Sequence, residues 1–289
     1  MAKRARKPSH NTEPSLAFES NRFMESGDAR ALRILAEYLE PQTRLRRARV
    51  DNTVVFFGSA RLVPQEEAER ALHELESQNH TSKSPAAQTA LKSALMAVEM
   101  ARYYEEARDL AKLITRWSLS LGRGKHFLVV CSGGGPGIME AANRGATEAG
   151  GLSIGLNIKL PYEQKPNPYI TPELSFLFKY FFMRKLWFAQ PARALIVFPG
   201  GYGTMDEMWE FLTLAQTHKM GHHVIILLYG SEFWKKAINF QWLLEAGTVT
   251  EEELKLIRFV DSPKEAFEVL KWSLRRNRAM RAAFRHPFP

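Results

Sequence analysis

A glycine-rich turn lies between a short apolar segment and a pair of carboxylates. Ala194–Phe198 is uniformly apolar, which predicts a strand buried on both faces of a parallel sheet. A helix is predicted to begin at Thr204. This arrangement leaves unpaired N–H groups at the positive end of the helix dipole, where phosphate binds readily. The predicted phosphate-binding residues are Gly200, Gly201, Gly203 and Thr204.

Glu207 follows this turn, and its position allows two interpretations. In the first, its carboxylate acts on a ligand held at the turn. In the second, Thr204 and Glu207 form a capping box, in which Glu207 only accepts a hydrogen bond from the Thr204 N–H group. A carboxylate near a positive helix end is expected to stay ionised. We therefore predict that it steadies a cation or orients water rather than donating a proton.

A second glycine-rich turn, residues 133–137, follows a predicted strand at Phe127–Val130. It does not meet the dinucleotide-binding fingerprint, because Ile138 stands where the third glycine is required. The glycines allow close approach of the backbone to a nucleotide or sugar, or they serve only the geometry of the turn. A third small-residue turn, beginning at Gly58, ends the predicted strand Thr53–Phe57. Ligands of open α/β sheets bind at such strand ends.

Arg184 and Lys185 are adjacent cations within an otherwise apolar, aromatic segment. Because a buried charge needs a partner, each is expected to meet either a structural carboxylate or a ligand anion. No zinc-protease, nucleophile-elbow or P-loop motif occurs in the sequence. The three histidines between residues 218 and 223 indicate a turn rather than a metal site. Cys131 is interpreted as a buried small residue.

Apolar strands alternate with helices along the chain, which predicts a doubly wound parallel sheet, a Rossmann-like α/β fold. One such domain is predicted, with a helical N-terminal extension and a C-terminal helix. The predicted divisions are a disordered basic tail at 1–20, the extension at 21–50, the catalytic domain at 51–262 with a helical excursion at 64–100, and a basic helix and tail at 263–289. Asp28–Leu39 and Phe233–Glu245 are each predicted as one helix.

The 289-residue chain carries a net charge of +9, which is concentrated at its ends. Residues 1–50 hold eleven Lys and Arg against six Asp and Glu, and residues 271–289 hold six against none. Solubilising or disordered ends are the favoured interpretation, and nucleic-acid binding through them is the other. A single cysteine indicates a reducing, cytoplasmic location. No apolar segment has the length of a membrane span, so no membrane partner is expected.

Four motifs together resemble those of the LOG ("lonely guy") family, the cytokinin riboside 5′-monophosphate phosphoribohydrolases. Pro199–Glu207 matches the family's PGGxGTxxE motif, and Met183–Lys185 stands where the family has its Arg-Lys pair. Gly133–Met139 matches the GGGPGIM turn, and Phe57–Arg61 matches the end of the first strand. The resemblance covers residues 50–245 and is greatest to the bacterial members.

The resemblance implies hydrolysis of the N-glycosidic bond of a purine or cytokinin nucleoside 5′-monophosphate, giving free base and ribose 5-phosphate. Glu207 would bind ribose hydroxyls, offset charge on an oxocarbenium-like transition state and orient water. Arg184, always protonated, would hold phosphate or ribose and Glu207. The residues expected to shape the sugar and base side are Ser59, Gly134, Gly135, Met139 and Lys185.

Further expectations follow from the same resemblance. The reaction needs neither a metal nor a cofactor, and the chain is expected to form a homodimer or a higher homo-oligomer. Family members are often labelled lysine decarboxylases, but no Schiff-base lysine with a partner for the pyridine nitrogen is identifiable. The alternative function is a non-catalytic carrier of the same fold that binds a nucleotide or the molybdenum cofactor.

Overall fold

The computed structural model describes residues 16–78, 84–121, 126–161 and 165–276. The chain divides into two compact units, one ending at Glu40 and the other beginning at Pro41. The predicted basic tail falls largely on residues outside the described ranges, as does the end of the chain. The proposed domain divisions therefore remain predictions.

The described helices and strands alternate along most of the chain, as predicted. They are α1 (Asn21–Met24), α2 (Arg30–Arg47), β1 (Thr53–Phe57), α3 (Gln65–Gln78), α4 (Pro85–Ser120), β2 (Val129–Ser132), α5 (Ile138–Glu148), β3 (Ser153–Ile158), β4 (Ser175–Phe178), α6 (Phe181–Ala189), β5 (Ala192–Val197), α7 (Tyr202–Gln216), β6 (Ile225–Tyr229), α8 (Ser231–Ala237), α9 (Phe240–Glu245), α10 (Glu251–Leu254), β7 (Ile257–Val260) and α11 (Pro263–Arg276).

The seven strands form one sheet in the order β4-β3-β2-β1-β5-β6-β7, and every described pairing is parallel. The chain moves outward from β1 to β4, then returns to the other side of β1 and moves outward again to β7. The order therefore reverses between β1 and β5. This is a doubly wound α/β sheet, and its reversal point is where such sheets bind ligands. The predicted fold class is confirmed.

The core lies between the sheet and the helices α4, α5 and α11. β1, β5 and β6 are buried along their whole length, which explains why their sequences are largely apolar without alternation; Arg193 of β5 is the exception. The rings of Phe56, Phe198 and Tyr229 stack across these strands, with centroid separations of 6.2 and 4.2 Å. The central strands are thus held rigidly, and so are the turns that leave their carboxyl ends.

Two predicted helices differ from those observed. The helix expected at Asp28–Leu39 begins at Arg30 and continues to Arg47, with Pro41 inside it. The single helix expected at Phe233–Glu245 is wrong, because Ile238 is extended and Asn239 starts a new helix by accepting a hydrogen bond from the Trp242 N–H group. Asparagine caps helices in this way because its short side chain reaches the free N–H groups of the first turn.

Candidate functional site

Three turns meet at the carboxyl ends of β1, β2 and β5, where the strand order reverses. Backbone hydrogen bonds tie them together. The Ser59 N–H group donates to the Pro199 oxygen at 2.9 Å, and the Ile138 N–H group donates to the Ser59 oxygen at 3.1 Å. The motifs recognised in the sequence therefore lie side by side, although up to 140 residues separate them in the chain.

Gly58 and Gly137 allow these turns to approach each other closely. A Cβ on Gly58 would lie 2.6 Å from the Ile138 side chain, and one on Gly137 would lie 2.2 Å from the Ser59 oxygen. Gly137 also has a φ of +70°, which disfavours any other residue. These two glycines serve packing between turns rather than contact with a ligand.

The predicted phosphate turn precedes α7, which begins two residues earlier than expected. Gly201 is the N-cap, Tyr202 is the first helical residue, and no side chain caps this helix. The capping-box interpretation of Thr204 and Glu207 is therefore wrong, because both residues already lie inside the helix. Glu207 is its sixth residue.

The turn has one packed side and one open side. Thr204 is buried against Gly200, where a Cβ would lie 2.2 Å from the Thr204 hydroxyl oxygen. A Cβ on Gly201 or Gly203 would meet no atom within 4 Å. The backbone of Gly201 and Gly203 is therefore open to a ligand at the positive end of α7, as expected for an anion site.

Arg184 extends from α6 across the carboxyl end of the sheet. Its Nε atom donates to the Leu156 oxygen of β3 at 2.6 Å, and its guanidinium lies 4.9 Å from the Phe188 ring centroid. A Cβ on Gly133 would lie 2.6 Å from Arg184 Nη2 and 2.8 Å from the Met139 sulfur. The glycine turn after β2 thus makes room for both side chains. Burial lowers the pKa of Arg184, against the effect of Glu207.

Glu207 faces Arg184 from α7. Its Oε1 atom lies 3.9 Å from Arg184 Nη1, which is too long for a hydrogen bond, and the two side chains are only 4% and 11% exposed. Among the described residues, no hydrogen-bond partner reaches Glu207 Oε2, although this atom is buried. The opposite charges of Arg184 and Glu207 thus face each other, and the second carboxylate oxygen of Glu207 has no hydrogen-bond partner among the described residues.

The expectation that Glu207 stays ionised is wrong. Burial raises the pKa of Glu207 to about 7, and the nearby Arg184 and Lys185 offset only part of this rise. The dipole of α7 does not keep the carboxylate charged, because its effect is concentrated in the first turn and Glu207 lies beyond it. A carboxyl group with this pKa can take up or release a proton near neutral pH.

Lys185 points away from this pair, toward the outer side of α7. Its Nζ atom lies 2.9 Å from Asp206 Oδ2 and 2.7 Å from Glu210 Oε2. The two adjacent cations of the sequence therefore take different partners. Arg184 faces the buried Glu207, and Lys185 joins α6 to α7 through the two carboxylates that flank Glu207 in the sequence.

A buried amide network supports the second glycine turn. Asn143 Oδ1 accepts hydrogen bonds from Ser132 Oγ at 2.6 Å and from Asn167 Nδ2 at 2.9 Å. The same Nδ2 donates to the Gly135 oxygen at 3.0 Å, and the Asn167 N–H group donates to the Gly134 oxygen at 2.9 Å. Sequence reasoning missed Asn143 and Asn167, which have no recognisable motif.

The predicted site residues thus occupy one region of the fold, with different immediate surroundings. Arg184, Glu207 and Met139 border the same turns, and Ser59 links the turns after β1 and β5. Gly134 has a φ of +76° and packs on Asn157, where a Cβ would lie 2.3 Å from the amide oxygen. Cys131 is buried, as predicted, and burial raises its pKa.

The described ranges contain no group of three or more His, Cys, Asp or Glu side chains that could hold a metal ion. They also contain no helix with the length and apolar character that crossing a membrane requires.

Comparison with known families supports the motif reading. Residues 139–270 match the family described as "Possible lysine decarboxylase", the description under which LOG proteins fall. The resemblance noted in the sequence is thereby confirmed. A comparison with curated proteins gives no significant match.

Several solved structures are similar to this chain at low identity. The structural-genomics target TM1055 shares 18% identity with a TM-score of 0.46, covering 76% of this chain and 99% of that one. The molybdenum cofactor binding protein of the phototrophic bacterium Rippkaea orientalis shares 18% with a TM-score of 0.43, covering 77% and 95%. The Moco carrier protein of Chlamydomonas reinhardtii shares 20% with a TM-score of 0.44, covering 78% and 98%.

Proposed function

We propose that this chain, whose residues 139–270 match the LOG family, hydrolyses the N-glycosidic bond of a purine or cytokinin nucleoside 5′-monophosphate. The observation that carries the proposal is the buried pair of Arg184 and Glu207, 3.9 Å apart, beside an open glycine turn at the start of a helix. The turn suits a 5′-phosphate, and the pair suits the reacting sugar.

Phosphate binding positions the nucleotide in this proposal. The N–H groups at the start of α7 donate hydrogen bonds to the phosphate, and the absence of side chains at Gly201 and Gly203 lets it approach the backbone. Thr204, which is buried against Gly200 on the packed side of the turn, is proposed to complete the cradle. Anchoring the phosphate fixes the ribose, so that its C1′ atom is presented to Glu207 without further loss of freedom.

Glu207 is proposed to act on water and on the sugar. In its ionised form it takes a proton from water, whose oxygen attacks C1′ as the bond to the base nitrogen breaks. The bonding electrons leave with the base, which then takes up a proton. Positive charge develops on the ribose during this step, and a nearby carboxylate stabilises it. The raised pKa of Glu207, about 7, makes it a stronger base than an ordinary glutamate.

Arg184 is proposed to hold the ligand and Glu207 rather than to move a proton. Its Nε atom is occupied by the Leu156 oxygen, which fixes the guanidinium plane. Nη1 faces Glu207 without a hydrogen bond, so ribose hydroxyls or water can be held between the two groups. Ser59, Gly134, Gly135 and Met139 are proposed to border the sugar and base.

Lys185 receives a revised role in this proposal. The sequence analysis assigned it to the sugar and base side, but its ammonium is engaged by Asp206 and Glu210. We propose that it positions α7 against α6 and moderates the pKa of Glu207. The same engagement leaves it poorly suited to form a Schiff base, which argues against decarboxylation by pyridoxal phosphate. A homo-oligomer remains our expectation.

The proposal is tested by incubating the protein with AMP and with N6-isopentenyl-AMP and measuring free base and ribose 5-phosphate. Wild type is expected to release both products in equal amounts, and Glu207→Gln to release none. Glu245→Gln, an exposed glutamate on α9, serves as the matched control and should retain activity. Tight binding of the nucleotide without release of base by wild type would instead support the non-catalytic carrier.

A further inference from the structure

Arg193 lies at the opposite end of the sheet from the glycine turns. It is the second residue of β5, and the register shows why it is unusual. Thr53 pairs with Ala192 and Val54 with Ala194, so Arg193 is an extra residue between two paired positions. Such a bulge changes the direction of a side chain and is typically retained for a specific purpose. Seven residues of extended chain place Gly200 about 20 Å away.

The guanidinium of Arg193 is buried without a counter-charge. The residue is only 5% exposed, and within the described ranges no hydrogen-bond partner reaches its buried Nη1 atom. Burial lowers its pKa, and no carboxylate opposes this effect. A charge taken out of water without a partner is strongly unfavourable. The buried charge of Arg193 therefore lowers the stability of the free protein, and a bound anion would offset this loss.

Polar groups without a negative charge surround Arg193. The Nε2 atom of His222 lies 2.7 Å from the Ala192 oxygen, and the charge of Arg193 contributes to lowering the His222 pKa. Thr53 Oγ1 and Gln190 Oε1, which flank this strand start, are also buried without hydrogen-bond partners. Three buried atoms without a hydrogen-bond partner in the described residues thus belong to this short region, and Glu207 Oε2 in the candidate site is another.

We propose that Arg193 anchors a second binding site, for a small oxyanion such as phosphate or sulfate, at the amino end of β5. The guanidinium supplies two parallel N–H donors, which match the oxygen atoms of such an ion. The Thr53 hydroxyl can donate to a further oxygen. This site is independent of the proposed hydrolysis, because no residue of the candidate active site contributes to it.

Thermal and denaturant unfolding in increasing sodium phosphate, at constant ionic strength, tests this proposal. Phosphate should multiply the ratio of folded to unfolded wild-type protein by a factor of one plus the phosphate concentration divided by its dissociation constant. This factor is about 10 when the phosphate concentration is nine times the dissociation constant. Arg193→Met should lose this increment. It should also be more stable than wild type without phosphate, because it removes an unpaired buried charge. Phosphate bound at the glycine turn affects both proteins alike and cancels in the comparison.

Two further variants keep the test decisive. Arg193→Lys retains the positive charge, so phosphate should still stabilise it, but less than it stabilises wild type. This variant replaces Arg193→Met in the comparison if Arg193→Met does not fold. Arg258→Met, at an exposed position of β7, should respond as wild type does. An equal phosphate response in wild type and Arg193→Met would overturn the proposal. A lower stability of Arg193→Met than of wild type in the absence of phosphate would also overturn it. If that loss depended on protein concentration, the partner of Arg193 would be a second copy of the chain rather than an anion.

Discussion

The most informative single residue is Glu207, because it is unfavourable for the fold and useful for the chemistry. A buried carboxyl with an unpartnered oxygen costs stability once it is ionised. The same burial gives it a pKa near neutrality, where a general base is most effective. Functional residues commonly carry such a cost, and their replacement then stabilises the protein.

Glu207→Gln is expected to become more stable relative to wild type as pH rises. The pKa of Glu207 is raised from 4.5 to about 7 in the folded state, so its contribution to stability is present below pH 4.5 and lost as pH rises through 7. The loss amounts to about 3 kcal/mol. Glutamine does not titrate, so the stability of Glu207→Gln relative to wild type should grow by that amount between pH 4.5 and pH 8. Denaturant unfolding at several pH values measures this, and a pH-independent difference would contradict the raised pKa.

The sequence singled out Arg184 and Glu207, which the structure places face to face, but it did not reveal their environment. The apolar neighbours of Arg184 correctly indicated a charge in need of a partner. The ionisation state of Glu207 was predicted wrongly because the start of α7 was placed at Thr204 rather than Tyr202. That difference moves Glu207 out of the first turn, where the helix dipole acts, and leaves burial to determine its pKa.

Among the secondary-structure elements, α6 and α7 carry the candidate catalytic pair, and Lys185 joins them. Its two ion pairs involve carboxylates one residue before and three residues after Glu207. Both helices are thereby held in one relative position. The positive charge of Lys185 also lowers the pKa of Glu207, whereas Asp206 and Glu210 raise it.

Lys185→Met is expected to move the acidic limb of the pH–rate profile for AMP to higher pH. Loss of the ammonium leaves two uncompensated carboxylates near Glu207, so the pKa of Glu207 rises further. Activity should fall most below pH 7 and recover toward pH 9. Lys236→Met, which removes an exposed ion pair on α8, is the control and should leave the profile unchanged. A uniform loss at every pH would indicate that Lys185 contributes only to packing.

The buried amides hold the loop that contains Asn167 against the glycine turn after β2. Asn143→Ala removes partners from Ser132, Ser153 and Asn167 at once. We expect a destabilisation of about 1–3 kcal/mol together with a higher KM for AMP, because the turn that borders the sugar loses its support.

Asn239→Ala is the matched control for that substitution. It removes the cap of α9, costing about 1 kcal/mol, with no effect on KM. Denaturant unfolding and steady-state kinetics measure both quantities. An unchanged KM in Asn143→Ala would separate the amide network from ligand binding.

The helices and strands differ in how well the sequence alone predicts them. The central strands β1, β5 and β6 were predictable from apolar runs because they are buried along their whole length. The division between α8 and α9 was missed, although Asn239 is a recognisable helix cap. The link between Asn143 and Asn167 could not be predicted, because it depends on how a loop returns to the sheet 24 residues later.

For the whole molecule, the order of the strands determines where the site can form. Alternation of strands and helices predicted a parallel sheet, but periodicity contains no information about which strands become neighbours. The reversal between β1 and β5 brings the first, second and fifth strand ends together. This arrangement accounts for why the motifs near residues 58, 134 and 200 lie side by side.

The central claim is that a 5′-phosphate, held at the glycine turn before α7, presents the ribose to Glu207 and Arg184. The most direct measurement is kcat/KM for release of adenine from AMP and from adenosine by the wild-type protein. We expect AMP to be preferred by at least about 100-fold, which corresponds to roughly 3 kcal/mol from charge-assisted hydrogen bonds to the phosphate. Equal kcat/KM values for the two substrates would contradict the account.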